Sequence, residues 1–300
     1  MFSIIIPTWN NLDYLKLCID GIKRHSAHDH EILVHVNDGS DGTLEWVRST
    51  GLRHSHSHEN LGICLAVNYL ATQASSDWLL YLNDDMVCCP GWDTALIDAT
   101  RDTPDRLAMF FSTLIEPINA GNTLAVVQDF GRTPAEFDWS RLRANYLTQP
   151  RADIFGQGSQ PCLVRRMWWQ IVGGYSIEYG PGMSSDIDLL MKLWVIGCRN
   201  YRIVGDSRVY HFVQKTTKRV RRNRGGRTFV TKWGLTERQF KRNFLSKADS
   251  IVGAAAPAGT IAHATLLGKM RRAAYGIFHD YPLEDLAAWD SAPGKHLSIG

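Results

Sequence analysis

Three acidic clusters, far apart along the chain, carry the residue types best suited to chemistry. Asp38 lies in the turn-forming run NDGSDGT, the pair Asp84 and Asp85 follows an apolar run, and Asp186 opens the run DIDLLMKLW. Hard divalent cations prefer carboxylate oxygens and keep free positions for substrate phosphates. A carboxylate can also act as a general base toward a hydroxyl group, an effect of roughly 10²–10⁴-fold in rate. The clusters together indicate metal-assisted chemistry on a phosphorylated substrate.

Each cluster also has an explanation that needs no active site. The Asn-Asp-Asp run at 83–85 and the residues around Asp38 are common in turns. Asp186 and Asp188 would lie in the first turn of a helix, where the helix dipole favours acidic side chains. Spacing alone leaves both explanations open, although the buried strand predicted before Asp84 favours a functional edge.

Histidines offer a second set of metal ligands. His211 follows a predicted strand and could bind a metal as neutral imidazole, although a lone histidine is more often a packed or surface residue. His54, His56 and His58 alternate, so they would share one face of a strand. Nothing else in the sequence supports a metal site there, and we interpret HSHSH as a solvated strand.

The elements that must position these residues alternate between strand and helix patterns. Such alternation predicts a mostly parallel sheet covered on both faces, with ligands beyond the carboxyl ends of its strands. The expected strands are 3–7, 31–36, 78–82, 107–114, 124–130 and 201–210. The expected helices are 11–22, a segment starting at Thr43, 61–74, 165–172 and 186–196, with a polar helix or loop over 135–147.

Composition excludes several classes of protein. The net charge of the 300 residues is only +3, which gives no overall case for nucleic-acid binding. Six cysteines without a CxxC pair indicate free thiols and a cytoplasmic protein. The N-terminus lacks the features of a signal peptide, and the apolar stretch 251–268 is too diluted to span a bilayer.

An ordered set of motifs resembles the family 2 glycosyltransferases. Its carriers are IIIPTWN, VNDGSDGT, ENLGICLAVNYLA, YLNDDM, GGY, SSDIDLLMKLW and VYHF. The resemblance runs from about residue 2 to 211 and on through FVTKWG. It implies the α/β GT-A fold, a mostly parallel central sheet flanked by helices, with a helical C-terminal extension. The implied catalytic domain is 1–214, with a nucleotide-binding half (1–115) and an acceptor-binding half (116–214), followed by a basic loop and helical extension (215–300).

The resemblance also implies a role for each matching residue. Asp186 would be the general base of an inverting transfer from a nucleotide-diphosphate sugar, with UDP-sugars favoured. Asp85 and His211 would bind Mn²⁺ or Mg²⁺. The donor would contact Pro7, Thr8, Trp9, Asn10, Asp38, Asn60, Asn83 and Asp84. Two departures from the family pattern stand out: Asn83 replaces a common aspartate, and Ser185 replaces the acidic residue that commonly precedes the base.

The basic segment after His211 allows two interpretations. It could close over the donor diphosphate as a lid, or hold a lipid phosphate or an anionic membrane surface. The residues assigned to the acceptor or lid are Asp188, Lys215, Lys218 and Arg219. The segment lacks interleaved aromatic residues, which argues against nucleic acid. The acceptor would be a glycan, glycolipid or protein, and the C-terminal helices could form an oligomer contact or lie peripherally on the inner membrane face.

Two other functions compete with this hypothesis. The departures at Asn83 and Ser185 allow a non-catalytic nucleotide-sugar-binding protein that retains the fold. A nucleotidyltransferase would need a Gly-rich, Lys- or Arg-bearing loop after the first strand, and PTWNNLDYLK offers none.

Overall fold

A computed structural model of the protein describes residues 1–101, 103, 107–213, 223–245, 266 and 268–274. One ten-stranded sheet runs through the molecule. Its strands are β1 (Ser3–Trp9), β2 (Glu31–Asn37), β3 (Arg53–Ser57), β4 (Trp78–Tyr81), β5 (Met86–Cys88), β6 (Ala108–Glu116), β7 (Val126–Val127), β8 (Ile154–Phe155), β9 (Cys162–Arg165) and β10 (Asn200–His211). The helices are α1 (Leu12–His25), α2 (Thr43–Ser49), α3 (Gly62–Gln73), α4 (Trp92–Arg101), α5 (Trp139–Asn145), α6 (Arg166–Ile171), α7 (Ser185–Val195), α8 (Gly225–Trp233) and α9 (Glu237–Phe240).

The sheet is mixed rather than uniformly parallel. Its order is β3-β2-β1-β4-β9-β6-β10-β5, with β7 beside β6 and β8 beside β10. β1, β2, β3 and β4 pair in parallel, β9 pairs antiparallel between β4 and β6, and β10 runs parallel to β6. The carboxyl ends of β1, β2, β4, β6 and β10 therefore lie at the same edge of the sheet. This edge is where an α/β sheet of this kind binds its ligands.

Helices cover both faces of the sheet, as the apolar strands predict. Ile5 packs into the cluster that contains α3, whereas Ile4 and Ile6 pack into the cluster that contains α1, and all three are 0% exposed. Full burial of such a side chain is worth about 1.5–3 kcal/mol. The buried face of α1 consists of Leu15, Cys18, Ile19, Gly21 and Ile22. The helical spacing expected over 11–22 is thus confirmed.

The core continues past the C-terminal end of β10. Phe229 in α8 and Phe240 in α9 are fully buried in the same cluster as α3 and α7. Thr236 begins α9 with a capping box, in which its side chain and Gln239 bond reciprocally. Residues 223–245 are therefore packed onto the body that carries the sheet.

The six cysteines form no disulfide bonds. Each of the six is free and buried, which confirms the expectation of unpaired thiols. Within the described residues, no helix has the length and apolar character needed to cross a membrane.

Two expected strands differ from the structure. The strand over 124–130 is reduced to Val126–Val127. The solvated interpretation of HSHSH was wrong for the middle of the run, because Ser55, His56 and Ser57 are only 5%, 9% and 3% exposed, whereas His54 is half-buried and His58 is exposed. Ser55 and Ser57 hydrogen-bond the two ring nitrogens of the buried His35 in β2. The polar residues of β3 thus form an internal hydrogen-bond network. In the sequence, such residues look the same as those of a solvated strand face.

Candidate active site

The ligand edge of the sheet gathers acidic residues that the sequence separates. Asp84 and Asp85 follow β4, and Asp186 lies in the first turn of α7. The buried Tyr81 ends β4 within electrostatic range of all three carboxylates. Burial, with the charges of Asp186, Asp84 and Asp85 among the further causes, raises the pKa of Tyr81 well above its usual value. Acidic groups some hundred residues apart in sequence therefore converge on one strand end.

Asp38 is the centre of a hydrogen-bonded turn between the ends of β1 and β2. Asn10 Nδ2 donates to Asp38 Oδ2 at 2.7 Å, and Asn10 Oδ1 accepts from the Gly39 backbone N–H at 2.8 Å. Hydrogen bonds from Asn10 and Ser40 hold the pKa of Asp38 below its ordinary value. Asn10 and Asp38 adopt φ angles of 47° and 62°, which Asn and Asp tolerate better than most residues. The turn presents an ionised carboxylate at the ligand edge of the sheet.

The remaining predicted donor residues of β1 lie beside this turn. Thr8 is 2% exposed, and its Oγ1 is buried without a hydrogen-bond partner among the described residues. Pro7 and Trp9 are half-buried on either side of it. On the neighbouring strand end, Asn83 and Asp84 are also half-buried. The sheet thus brings these residues to the same edge as Asp38.

Asn60 and Asn37 shape the loop that leads into α3. Asn60 Oδ1 accepts from the Gly62 backbone N–H at 2.9 Å, so this side chain forms an Asx turn just before the helix. Asn37, which is 3% exposed, donates to the Thr8 carbonyl at 3.2 Å and accepts from the Leu61 backbone N–H at 2.8 Å. The Asn37 amide therefore ties β1 to this loop. Its place in the motif VNDGSDGT was the signal that could have identified it.

Asp85 and His211 meet at the junction of β5 and β10. Asp85 Oδ2 lies 3.5 Å from His211 Nε2, and Glu116 Oε1 lies 3.3 Å from His211 Nδ1. Burial alone would lower the pKa of His211, but the contacts with Asp85 and Glu116 outweigh it and raise the pKa to about 9. Glu116 was not predicted as a site residue. It is the last residue of the buried strand β6, a position similar to that of Asp38, which follows β2.

The residues at this junction fit a hard divalent cation. A carboxylate and an imidazole nitrogen face each other, and Mg²⁺ or Mn²⁺ needs few protein ligands when substrate phosphates complete its shell. Glu116 contacts the other ring nitrogen, the arrangement that orients many metal-binding histidines. Among the described residues, no group of three or more His, Cys, Asp or Glu side chains could hold a metal by itself. The pair Asp85 and His211 would therefore depend on the donor for further ligands.

Asp186 has one carboxylate oxygen fixed and the other available. Tyr175 Oη donates to Asp186 Oδ1 at 2.6 Å, and Gln160 Nε2 donates to the same atom at 2.7 Å. The side chain is accessible to solvent, yet the surrounding protein desolvates it and raises its pKa, which the two hydrogen bonds and the charge of Lys241 oppose. Within the described part of the chain, Oδ2 receives no hydrogen bond. This geometry suits a general base toward a bound hydroxyl group.

The Tyr175 hydroxyl is expected to set the pH range in which Asp186 works. Tyr175→Phe removes a donor that stabilises the ionised carboxylate, so the pKa of Asp186 rises. Because a general base must be unprotonated, the acid limb of the kcat/KM profile should move to higher pH. Tyr81→Phe is the matched control, a buried tyrosine in ring contact with Tyr175 that donates no hydrogen bond to Asp186. Superimposable acid limbs for wild type and Tyr175→Phe would contradict this role.

Ser185 and Asp188, on either side of Asp186 in the sequence, face inward. Ser185 is 1% exposed and donates to the Gly182 carbonyl at 2.6 Å. The serine that replaces the acidic residue of the family pattern is therefore packed inside the protein. Asp188 is 0% exposed and accepts from Ser176 at 2.6 Å and from the Trp233 indole at 2.7 Å. The structure therefore places Asp188 inside the protein, away from the solvent-accessible side of Asp186, where it joins α7 to α8.

Removal of the Asp188 carboxylate is expected to destabilise the fold. Asp188→Ala leaves Lys232, which lies 3.0 Å from the carboxylate, and the half-buried Trp233 indole without their shared acceptor. Lys232 keeps Glu178 at 2.9 Å, so the cost is mainly that of leaving the other hydrogen-bond donors of Asp188 unpaired, about 1–3 kcal/mol. Urea denaturation should show a lower midpoint with an unchanged slope. Asp98→Ala, at an exposed ion pair with Arg101, is the control and should change little.

Two charged residues beyond β10 also approach Asp186. The charges of Lys241 and Glu237 both act on the pKa of Asp186, in opposite directions. Glu237 accepts a hydrogen bond from Ser184 at 2.5 Å, next to the start of α7. Neither residue was predicted, because no motif marks this part of the sequence. The expected acceptor or lid residues Lys215, Lys218 and Arg219 lie outside the described residues.

The sequence matches one family of known proteins. The family model described as "Glycosyl transferase family 2" matches residues 3–169. The chain is 34% identical over 219 residues to the "PGL/p-HBAD biosynthesis glycosyltransferase" of Mycobacterium tuberculosis, an alignment that covers 62% of this chain and 80% of the relative. A protein of the same name from Mycobacterium bovis gives the same values.

Solved structures share the fold. TarS residues 1-349 from S. aureus superposes with a TM-score of 0.55 at 14% identity, covering 96% of this chain and 77% of that one. The mannosyltransferase PcManGT from Pyrobaculum calidifontis, solved with GDP-Man and Mn²⁺, gives a TM-score of 0.51 at 17% identity and covers 97% and 79%. At such identities the likeness concerns the fold alone.

Proposed function

The chain belongs to glycosyl transferase family 2 and is a glycosyltransferase, and from this premise we propose that it transfers a sugar from a nucleotide-diphosphate donor to an acceptor hydroxyl with inversion. The observation that carries the proposal is the Asp186 carboxylate, with Oδ1 held by two donors and Oδ2 receiving no hydrogen bond from the residues that the structure describes. A base of this kind suits direct attack of a hydroxyl on an anomeric carbon.

The donor would lie along the edge formed by β1, β2 and β4. The ionised Asp38 is suited to accept hydrogen bonds from the N–H or O–H groups of a nucleoside, and Asn10 fixes its orientation. The buried Oγ1 of Thr8 offers a further hydrogen-bonding group at this edge. UDP-sugars are the first donor class to test. GDP-mannose is the second, because the fold relative PcManGT was solved with it.

Asp85 and His211 would hold Mn²⁺ or Mg²⁺ beside the donor diphosphate. When bound, such an ion acts as a Lewis acid that neutralises the charge of the departing diphosphate. The chain's own part is to orient the two groups: Glu116 fixes the His211 ring, and the Phe212 backbone N–H donates to the Asp85 carbonyl at 3.2 Å. A mannosyltransferase of the same fold that was solved with Mn²⁺ supports this choice of ion.

The transfer itself is a single displacement. The acceptor oxygen forms a bond to the anomeric carbon while its proton passes to Asp186 Oδ2. The bond between the anomeric carbon and the diphosphate oxygen breaks, and the nucleoside diphosphate leaves with the electron pair. Tyr175 and Gln160 hold Oδ1 through their hydrogen bonds, which leaves Oδ2 to take the proton.

Metal-linked donor binding tests the proposal directly. A nucleotide sugar at about 100 times its dissociation constant should stabilise the protein by roughly 2.7 kcal/mol. For a domain of 150–250 residues this corresponds to a rise in Tm of about 5–10 °C. The measurement is a thermal-shift screen of UDP- and GDP-sugars with and without Mn²⁺. Equal shifts with and without Mn²⁺ would contradict metal-linked binding, and no shift with any nucleotide sugar would contradict the donor class.

A further inference from the structure

An open cavity of about 530 Å³ lies at the C-terminal end of α1. Residues 24–27 line it from α1 and the loop that follows, Pro90 lines it from the loop after β5, and α5 contributes Trp139, Ser140 and Arg143. The 14 residues of α1 span about 21 Å, and the turn of Asn10 and Asp38 lies at the other end of this helix. The cavity therefore shares no lining residue with the candidate active site.

Ring contacts join the two helices across the wall of this cavity. His25 Nδ1 donates to the Cys88 carbonyl of β5 at 2.7 Å, which fixes the imidazole ring. The Trp139 ring stands edge-on to that ring, with centroids 5.5 Å apart. The Arg24 guanidinium lies over the Trp139 ring at 5.0 Å from its centre, a cation–π contact. A wall fixed in this way is preorganised for binding.

The lining of the cavity is positively charged. It includes Arg24 and Arg143 and, within the described part of the chain, no aspartate or glutamate. Arg24 pairs with Asp20 at 2.6 Å, and both side chains are largely exposed. Exposed pairs of this kind are weak, so a ligand anion can compete for the Arg24 guanidinium. The Arg143 side chain has no ion pair or hydrogen bond with any described residue.

Helix dipoles explain only part of this arrangement. Basic residues are favoured in the last turn of a helix, where Lys23, Arg24 and His25 end α1 and Arg143 ends α5. Each helix would satisfy that preference with its basic residues in any direction. The dipole therefore accounts for the charge at each helix end, but not for the meeting of both ends at one cavity beside an indole ring.

The groups at the cavity match a phosphate monoester. The forked donors of a guanidinium suit phosphate and carboxylate groups alike, but a monoester carries about −1.5 to −2 charges, closer to the two charges of Arg24 and Arg143. The Trp139 indole N–H and the Ser140 hydroxyl have no hydrogen-bond partner among the described residues and can donate further bonds. The volume exceeds that of a bare phosphate, and Pro90 and the Trp139 ring offer apolar surface to the group that carries it.

We propose that this cavity is a second, non-catalytic binding site for a phosphate monoester, in which Arg24 and Arg143 hold the phosphate and Trp139 packs against the group that carries it. The inference goes beyond the proposed function and does not depend on it, because the two sites share no residue. A soluble phosphate ester and a lipid with a terminal phosphate present the same chemistry, and the experiment distinguishes these two sources.

Removal of the unpaired arginine tests the proposal. Arg143→Ala deletes an exposed guanidinium in the last turn of the seven-residue helix α5. Arg48→Ala is the matched control, an exposed arginine in the last turn of the seven-residue helix α2. Titration calorimetry with phenyl phosphate, and with phenylacetate as the carboxylate comparison, is carried out in EDTA so that no metal-bound phosphate contributes. Sedimentation with phosphatidylcholine vesicles, with and without phosphatidic acid, tests the lipid source.

We expect phenyl phosphate to bind wild type and Arg48→Ala equally, and to bind Arg143→Ala about tenfold more weakly, the effect of losing a charge-assisted hydrogen bond. Sedimentation of wild type but not Arg143→Ala with phosphatidic acid vesicles would support the site with a lipid source, and phenyl phosphate binding without sedimentation would support it with a soluble one. Absence of phenyl phosphate binding to wild type, equal binding by Arg143→Ala, or tighter binding of phenylacetate would overturn the proposal. The thermal shift produced by a nucleotide sugar should be the same in Arg143→Ala as in wild type, so failure of this site leaves the proposed function standing.

Discussion

Asp186→Asn is expected to lower kcat for sugar transfer by roughly 10²–10⁴-fold, the usual contribution of a general base. The amide oxygen can still accept the hydrogen bonds from Tyr175 and Gln160, so the fold and the donor site should remain. The substituted group cannot take the proton of the attacking hydroxyl. Steady-state kinetics should therefore show a fall in kcat with little change in donor KM.

Asp206→Asn is the matched control for this substitution. Asp206 is an exposed aspartate of β10, and its replacement should leave both kcat and donor KM close to the wild-type values. Full transfer activity in Asp186→Asn would remove this residue from the role of base. A large rise in donor KM instead would indicate that Asp186 contributes mainly to donor binding.

The Asp85→Asn variant is expected to lose metal-linked donor binding and most of the transfer activity. The substitution removes the carboxylate that faces His211 Nε2 at 3.5 Å. Metal stabilisation of a departing charge is worth several kcal/mol, or about two to three powers of ten in rate. The measurements are kcat at saturating Mn²⁺ and the thermal shift produced by the nucleotide sugar with and without Mn²⁺.

Glu116→Gln provides a graded comparison for Asp85. Glu116 contacts the opposite nitrogen of His211, so it would orient the ring without binding the ion. Losses from such orienting partners are typically about 10–100-fold in metal affinity or activity. Wild-type behaviour of Asp85→Asn at limiting Mn²⁺ would contradict a metal site at this junction.

Local patterns predicted the elements that carry a simple period. The apolar runs of β1, β2 and β4 and the spacing of α1 and α3 are present near their expected bounds. The elements that were missed are β5, β8, β9 and α4. β5 and β8 have three and two residues, too few to show an alternation, and β9 is a four-residue antiparallel strand inserted between parallel ones. Such insertions depend on pairing partners that lie far away in sequence.

The candidate site likewise contains some residues that the sequence predicted and others that only the structure identifies. Asp38, Asp85, Asp186 and His211 each lie in a motif of the family resemblance, and that ordered set of motifs predicted their roles. Glu116, Gln160, Tyr175 and Lys241 were not predicted as site residues. Their importance lies in what they contact, because Glu116 meets His211 and the other three surround Asp186.

The sequence by itself determined the family, the alternation of strands and helices, and the acidic residues placed after the strands. These properties depend on residue types and on spacings within about a dozen positions, which the linear order contains. Only the tertiary structure decided that Asp186 would be accessible while Asp188 is buried two residues away, and that Ser55, His56 and Ser57 of the edge strand β3 would be buried. Burial, hydrogen-bond partners and charge environment arise from segments that the chain brings together on folding, and they set the chemistry of each carboxylate.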